Sequence, residues 1–207
     1  MIHHHPGGLP LTKRVVECAA FAPGARVVDI GCGTGQTVEY LRNTCGLQAV
    51  GIDLAESRLE QGRARVPGLP LMRAAGEALP FATASMDGAL AECSLSVMTD
   101  SSRVLAEIHR ILVDRGKLVI TDLYVRKPAA ACPAGAGPGG ELRKQLADAG
   151  FRILVWEDQT AYLREFVACY LMQYGSIAEL WQCTANGKMN KQMGYFLLLA
   201  EKCQTKG

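Results

Sequence analysis

Positions 27–35 read Val27, Val28, Asp29, Ile30, Gly31, Cys32, Gly33, Thr34 and Gly35: apolar residues and an acid lead into three glycines at alternate positions. A helical pattern follows from Gln36 to Leu41. Such an order predicts a buried strand that turns abruptly into a helix, through a turn stripped of side chains. Glycine there allows positive φ and lets a ligand come close to the main chain. A second acid, Asp53, ends the strand-like run 49–52. An acid about 20 residues past such glycines is placed to grip ribose hydroxyls, so the pattern points to an adenosine-containing ligand.

A chain of 207 residues suits one domain with a sizeable core, and 49% hydrophobic against 20% charged residues predicts a soluble globular protein. Its 22 basic and 20 acidic side chains leave a net charge of +2, with no lysine–arginine block, so nucleic acid is not an expected partner. No apolar run approaches the roughly 20 residues of a membrane span. The start lacks the charged-then-apolar order of a signal peptide. His3, His4 and His5 have no further ligand close in sequence, so a bland tail is expected rather than a metal site. Eight cysteines fall at wide, irregular gaps without a C-x-x-C pair, which fits reduced thiols in a cytoplasmic protein.

Strand and helix patterns alternate. Strands are expected over 26–30, 48–53, 71–73, 87–91, 117–123, 151–156 and 194–200. Helices are expected over 11–20, 36–42, 56–65, 101–112, 141–149 and 162–181. This describes one α/β domain, Rossmann-like and doubly wound, with helices on both faces of a mostly parallel sheet. A cap or helix (1–23), a flexible Pro/Ala/Gly-rich loop (125–140) and a helical insert (161–185) complete it. In 101–112 the apolar stripe is Val104, Leu105, Ile108, Ile111 and Leu112, with Asp100 or Ser101 as cap and Gly116 just past the end. His109 lies off that stripe and should face solvent.

The glycine spacing is G-x-G-x-G rather than the G-x-G-x-x-G of dinucleotide sites, and Asp29 precedes it. A carboxylate there opposes a pyrophosphate and suits an ammonium group. S-adenosylmethionine carries an ammonium, a sulfonium, a ribose and an adenine. Asp29 fits its ammonium, the amides of Gly31, Cys32, Gly33, Thr34 and Gly35 its carboxylate, and Asp53 its ribose hydroxyls.

Over 24–124 the chain resembles class I S-adenosylmethionine-dependent methyltransferases, most closely the small-molecule branch that includes the ubiquinone and menaquinone biosynthesis enzymes. VVDIGCGTG resembles the family's first motif, GIDLAESRLEQGR its second, AAGEALPF its adenine-binding stretch and SMDGALAECSLS its fourth-strand motif. RVLAEIHRILVDRGKLVITDLY resembles the helix and strand that follow, and MGYFLLLAEK the last strand, inserted antiparallel between the fifth and sixth. The resemblance implies a seven-stranded sheet, S-adenosylmethionine as cofactor and no metal. It also implies a cofactor site that includes Leu54 after Asp53, Gly76, Glu77 and Ala78 at the adenine, and the main chain of Ala91. The family's helix–strand turn is usually Pro-Gly-Gly; here it is Val113, Asp114, Arg115 and Gly116.

Methyl transfer from a sulfonium is an in-line displacement that mainly requires alignment and exclusion of water. No essential base can be demanded of the sequence, so no catalytic residue is assigned. Glu92, Cys93, Asp122 and Tyr124 are candidates near the strand ends, Cys93 more as a buried filler than as a ligand for a soft acceptor. Phe166, Tyr170, Tyr174 and Trp181 are expected to be mostly core, with a roof over an acceptor pocket as the alternative. The expected activity is methyl transfer to a small molecule by a monomer or homodimer. A non-catalytic cofactor-binding scaffold and an NAD-dependent oxidoreductase are the competing readings.

Overall fold

The computed structural model describes residues 5–125, 139–176 and 193–204. Helix α1 (Gly8–Ala19) precedes strand β1 (Arg26–Ile30), followed by α2 (Gln36–Asn43), β2 (Gln48–Asp53), α3 (Glu56–Arg65) and β3 (Leu71–Arg73). Then come β4 (Met86–Glu92), a 3₁₀ turn (Leu95–Val97), α4 (Ser101–Ile111), β5 (Leu112–Val125), α5 (Gly140–Asp148), β6 (Phe151–Asp158), α6 (Thr160–Tyr174) and β7 (Met193–Lys202). The sheet order is β3-β2-β1-β4-β5-β7-β6, and β7 runs antiparallel to both β5 and β6. The inserted last strand expected from MGYFLLLAEK is therefore present.

Residues of one strand alternate between two cores, one on each face of the sheet. In β7, Phe196, Leu198 and Ala200 join α4 and α5 through Leu105, Ile108 and Leu146. Tyr195, Leu197 and Leu199 join α1, α2, α3 and α6 through Leu11, Leu41, Leu59 and Leu163. Burying one such leucine or phenylalanine side chain fully is worth about 1.5–3 kcal/mol, so strands buried on both faces read as continuous apolar runs.

Helix α4 stops one residue earlier than its stripe predicts. Asp100 caps its start, accepting from the Arg103 amide at 3.0 Å. At its end the Arg110 and Ile111 carbonyls accept from the amides of Ala84 and Ser85 at 3.0 and 2.8 Å, and Lys202 Nζ donates to the Leu112 carbonyl at 2.8 Å. With those orphan carbonyls satisfied by distant donors, Leu112 leaves the helix for β5, and Arg115 takes up φ 62° within the strand's irregular start. His109 does not simply face solvent. Its ring meets Phe151 edge-on at 5.5 Å, and burial lowers its basicity.

The aromatic row of α6 is not core. Only Thr160 and Leu163 of that helix are buried; Phe166 and Tyr170 are half-buried and Tyr174 is 58% exposed. Tyr170 and Tyr174 instead pack on each other at 4.6 Å. Leu163 is the buried apolar side chain of α6, with Tyr162 and Val167 partly buried beside it and Thr160 Oγ1 accepting from the Tyr195 amide at 3.2 Å, so aromatic spacing was the wrong guide. Trp181, Cys132, Cys183, residues 126–138 of the expected loop and the end of the expected insert lie outside the described residues. Among the described residues, no helix is long and apolar enough to cross a membrane.

Candidate active site

The sheet order reverses at β1, which pairs with β2 on one side and β4 on the other, and a crevice opens beyond its carboxyl end. There the chain turns through Gly31 and Gly33 at φ 77° and 55°. A Cβ on Gly31 would lie 2.4 Å from the Ser94 Cβ, so glycine is needed for the close approach of the β4 loop. A Cβ on Gly33 would meet nothing within 4 Å, because that face of the turn is open to the crevice. Gly35 points elsewhere, toward Leu69 and Leu71.

A cavity of about 280 Å³ occupies the crevice, and Asp29, Gly31, Cys32, Gly33 and Thr34 line it. Asp29 is 3% exposed, and no hydrogen bond reaches its carboxylate from the described residues. Burial, and then the neighbouring Glu92 and Asp53 charges, push its pKa well above the usual carboxylate range. Glu92 is 9% exposed and hydrogen-bonded: Thr12 Oγ1 donates to it at 3.1 and 3.3 Å, and Thr37 Oγ1 at 2.9 Å. Two buried carboxylates thus face one cavity, and neither has an ion-pair partner among the described residues. Burial of an unpaired charge is costly, so such a site favours a cationic ligand.

Most amides of the turn are already engaged. Gly31 and Cys32 both donate to the Ile52 carbonyl at 2.8 and 2.9 Å, Gly33 to Asp53 Oδ2 at 2.8 Å, and Gly35 to the Cys32 carbonyl at 2.9 Å. The amides without a protein acceptor among the described residues are those of Thr34 in the turn and of Gln36 and Thr37 at the start of α2, all three in residues that line the cavity. A helix N-terminus with open amides suits a carboxylate. Thr34 leaves one open donor in the turn itself, and Gln36 and Thr37 add two beside it.

Asp53 ends β2 beside the turn, and its other oxygen accepts from the Ala55 amide at 2.8 Å. It supports both the turn and the entry to α3, is half-buried, and does not itself line the cavity. Leu54, 59% exposed, stands next to it. Gly76, Glu77 and Ala78 lie on the β3–β4 connection and do not line the cavity. The Ala78 amide donates to the Ala75 carbonyl at 3.2 Å, and Glu77 Oε1 accepts from the Asp100 amide at 3.4 Å. A Cβ on Gly76 would crowd Met98 Sδ at 3.1 Å, which puts a thioether beside this stretch. Ala91 is fully buried in β4.

The other candidates have structural duties. Cys93 adopts φ 52°, and its Sγ lies 2.9 Å from Tyr195 Oη, which donates to Thr121 Oγ1 at 3.1 Å. Burial raises both the Cys93 and Cys32 thiols, so neither is a ready thiolate. Asp122 accepts from the Ser96 amide and hydroxyl at 2.8 and 2.6 Å and anchors the 3₁₀ turn. Tyr124 packs edge-on against Trp156 and Phe196.

Five cavity residues escaped the sequence reading: His5, Gln36, Thr37, Arg58 and Gln61, with Thr12 acting behind them through Glu92. Thr37 was within reach, one position into the helix that follows the glycines. Arg58 and Gln61 share one face of α3. His5 is no bland tail, for it lines the cavity, but nothing in its local sequence signals that.

A Rossmann-like sheet with an antiparallel inserted strand, a glycine turn and paired acids at its switch point defines a binder of an adenosine-type cofactor. A family model described as a methyltransferase domain matches residues 28–120. O-methyltransferase resE of Aspergillus sclerotiorum is 29% identical over 93% of this chain and 81% of its own length. A demethylmenaquinone methyltransferase of Renibacterium salmoninarum is 32% identical over 71% of this chain and 66% of its own. Among solved structures, the [4+2]-cyclase SpnF superposes with a TM-score of 0.76 at 26% identity, covering 95% of this chain and 82% of SpnF. The chain belongs to the class I S-adenosylmethionine-dependent methyltransferases, in the family marked by that methyltransferase domain. S-adenosylmethionine is its cofactor, and the fold follows the expected plan.

Proposed function

We propose that the enzyme transfers the cofactor's methyl group to a hydroxyl of a small organic acceptor. The observation that carries the reading is Asp29, buried to 3% exposure at the crevice without a hydrogen-bond donor among the described residues. The names of the relatives, O-methyltransferases over most of this chain, support oxygen as the methylated atom.

The cofactor supplies an electrophilic methyl on a sulfonium; the protein holds it and the acceptor in line. In this reading Asp29 accepts from the ammonium, the Gln36 and Thr37 amides at the start of α2 take the carboxylate, and Asp53 accepts from the ribose hydroxyls. Leu54 and Gly76 flank the adenine, Glu77 and the Ala78 main chain meet its edge, and the Ala91 main chain backs the methionine end. Gly31, Cys32, Gly33, Thr34 and Gly35 shape the turn that admits it.

A hydroxyl acceptor must lose a proton. His5 Nδ1 lies 3.0 Å from the Pro6 carbonyl, which can only accept, so Nδ1 carries the hydrogen and Nε2 the free lone pair. His5 is the imidazole of the cavity lining, a side chain able to take up a proton from an acceptor hydroxyl. The net charge of +2 favours a small acceptor over nucleic acid. Six free cysteines among the described residues favour a reducing, cytoplasmic setting and a monomer or homodimer without disulfides.

Calorimetric titration with S-adenosylmethionine, S-adenosylhomocysteine and NAD, repeated for Asp53→Ala, tests the cofactor site. Micromolar binding of the first two, lost in the variant and absent for NAD, is expected. Binding of NAD, or of none, overturns the reading. A screen of hydroxylated acceptors by homocysteine release then identifies the substrate.

A further inference from the structure

Two acids face the cavity, but only one belongs to the glycine turn. Asp29 pairs in register with Leu90 of β4, so Glu92 stands two residues further toward the open carboxyl edge. That is roughly 6–7 Å along the strand. Thr12 and Thr37 hold its carboxylate at 2.9–3.3 Å from two different helices, leaving it fixed and without an ion-pair partner among the described residues. The ammonium and carboxylate of the cofactor share one carbon. With the carboxylate at the start of α2 and the ammonium at Asp29, the sulfonium comes next along the ligand, toward the rim where an acceptor must enter.

We infer that Glu92 faces the sulfonium and makes the site discriminate S-adenosylmethionine from S-adenosylhomocysteine by charge. The inference rests on the cofactor placement proposed above. In the reaction the methyl–sulfur bond breaks, its electron pair stays on sulfur, and the methyl bonds to the acceptor oxygen, whose proton leaves to a base. The sulfonium becomes a neutral thioether, and Glu92 loses its counter-charge while Asp29 keeps the ammonium. Glu92 is therefore a specificity residue that weakens the hold on the product once transfer is complete. At this partly open site, one facing carboxylate is worth about tenfold in affinity.

The test is calorimetric titration of the full chain with both ligands in wild type, Glu92→Gln, Glu92→Asp and Asp29→Asn. Glu92→Gln should lower the affinity ratio of S-adenosylmethionine to S-adenosylhomocysteine about tenfold, Glu92→Asp should preserve it, and Asp29→Asn should weaken both ligands alike. An equal loss for both ligands in Glu92→Gln, or no loss, overturns the inference. If neither ligand binds wild type, the cofactor placement itself falls, which is a distinct result. Should Glu92→Gln fail to fold, the wild type still decides. An analogue with a tertiary amine at the sulfur position is titrated above and below that amine's own pKa, with S-adenosylhomocysteine as reference at each pH. Tighter relative binding of the protonated form is expected, and equal binding of both forms overturns the inference.

Discussion

Thr12 in α1 donates a hydrogen bond to Glu92 at the end of β4, joining residues 80 positions apart at the rim of the cavity. The N-terminal helix is thereby tied to the residue that stands beside the proposed sulfonium, and His5, just ahead of that helix, enters the same cavity.

Thr12→Val should remove that tie. A hydrogen bond to a charged group contributes about 1.5–3 kcal/mol, so urea denaturation should show a loss near the lower figure, because Thr37 still donates to Glu92. An unchanged midpoint would mean that α1 is held by its apolar face, Leu11, Val15 and Ala19, and by the Arg14–Glu157 pair.

Asp29 sets an unusual pH dependence. Its folded pKa is raised well above 3.8, so between the unfolded value and the folded one the native state binds more protons than the unfolded state. The slope of unfolding free energy with pH is then negative: ligand-free protein loses stability as pH rises through that window. Asp122 titrates in the same direction, so the measurement is the difference between wild type and Asp29→Asn. The variant should be the more stable ligand-free protein at neutral pH and yet bind S-adenosylmethionine at least about tenfold more weakly, the ordinary effect of losing a buried charge partner. A less stable variant would show that Asp29 has a partner in the folded chain.

Gly31→Ala and Gly33→Ala should separate packing from binding. Both add about 1–2 kcal/mol of left-handed strain. Only the first drives a Cβ into Ser94, at 2.4 Å. The melting temperature should fall much further for Gly31→Ala, while Gly33→Ala should stay folded and lose cofactor affinity. Equal melting temperatures would mean that the β4 loop yields.

His5→Gln should cut kcat by about 10²-fold or more and leave cofactor affinity unchanged. Recovery on adding imidazole would mark a proton acceptor. An unchanged kcat in the variant would assign the proton to solvent.

Much of this architecture was legible in the chain. β1 and β2 begin and end at the residues their apolar runs mark, because strands buried on both faces leave little choice; β3 matches as well, although only Leu71 of that edge strand is buried. The turn and its acids were legible for a related reason: glycine adopts positive φ at least cost, and carboxylates do not enter a core without cause. The end of α4 was not, since Ala84, Ser85 and Lys202 close it from far along the chain. Nor was the bond of Thr12 to Glu92, or the entry of His5. Contacts between remote segments leave no local period to read, and the α6 aromatics show that a period can be present without the burial it implies.

The position of β7 has a consequence for synthesis. β5 pairs with β4 early, but its other edge stays open over nine residues, Lys117 to Val125, until β7 fills it. An unpaired edge of that length is a template for foreign strands. At roughly 5–20 residues per second, the nascent chain carries this open seam for several seconds before 193–202 arrives. A ribosome stalled within that interval would release a molecule with its glycine turn and paired acids already encoded, and with a sticky flank where its neighbour should be.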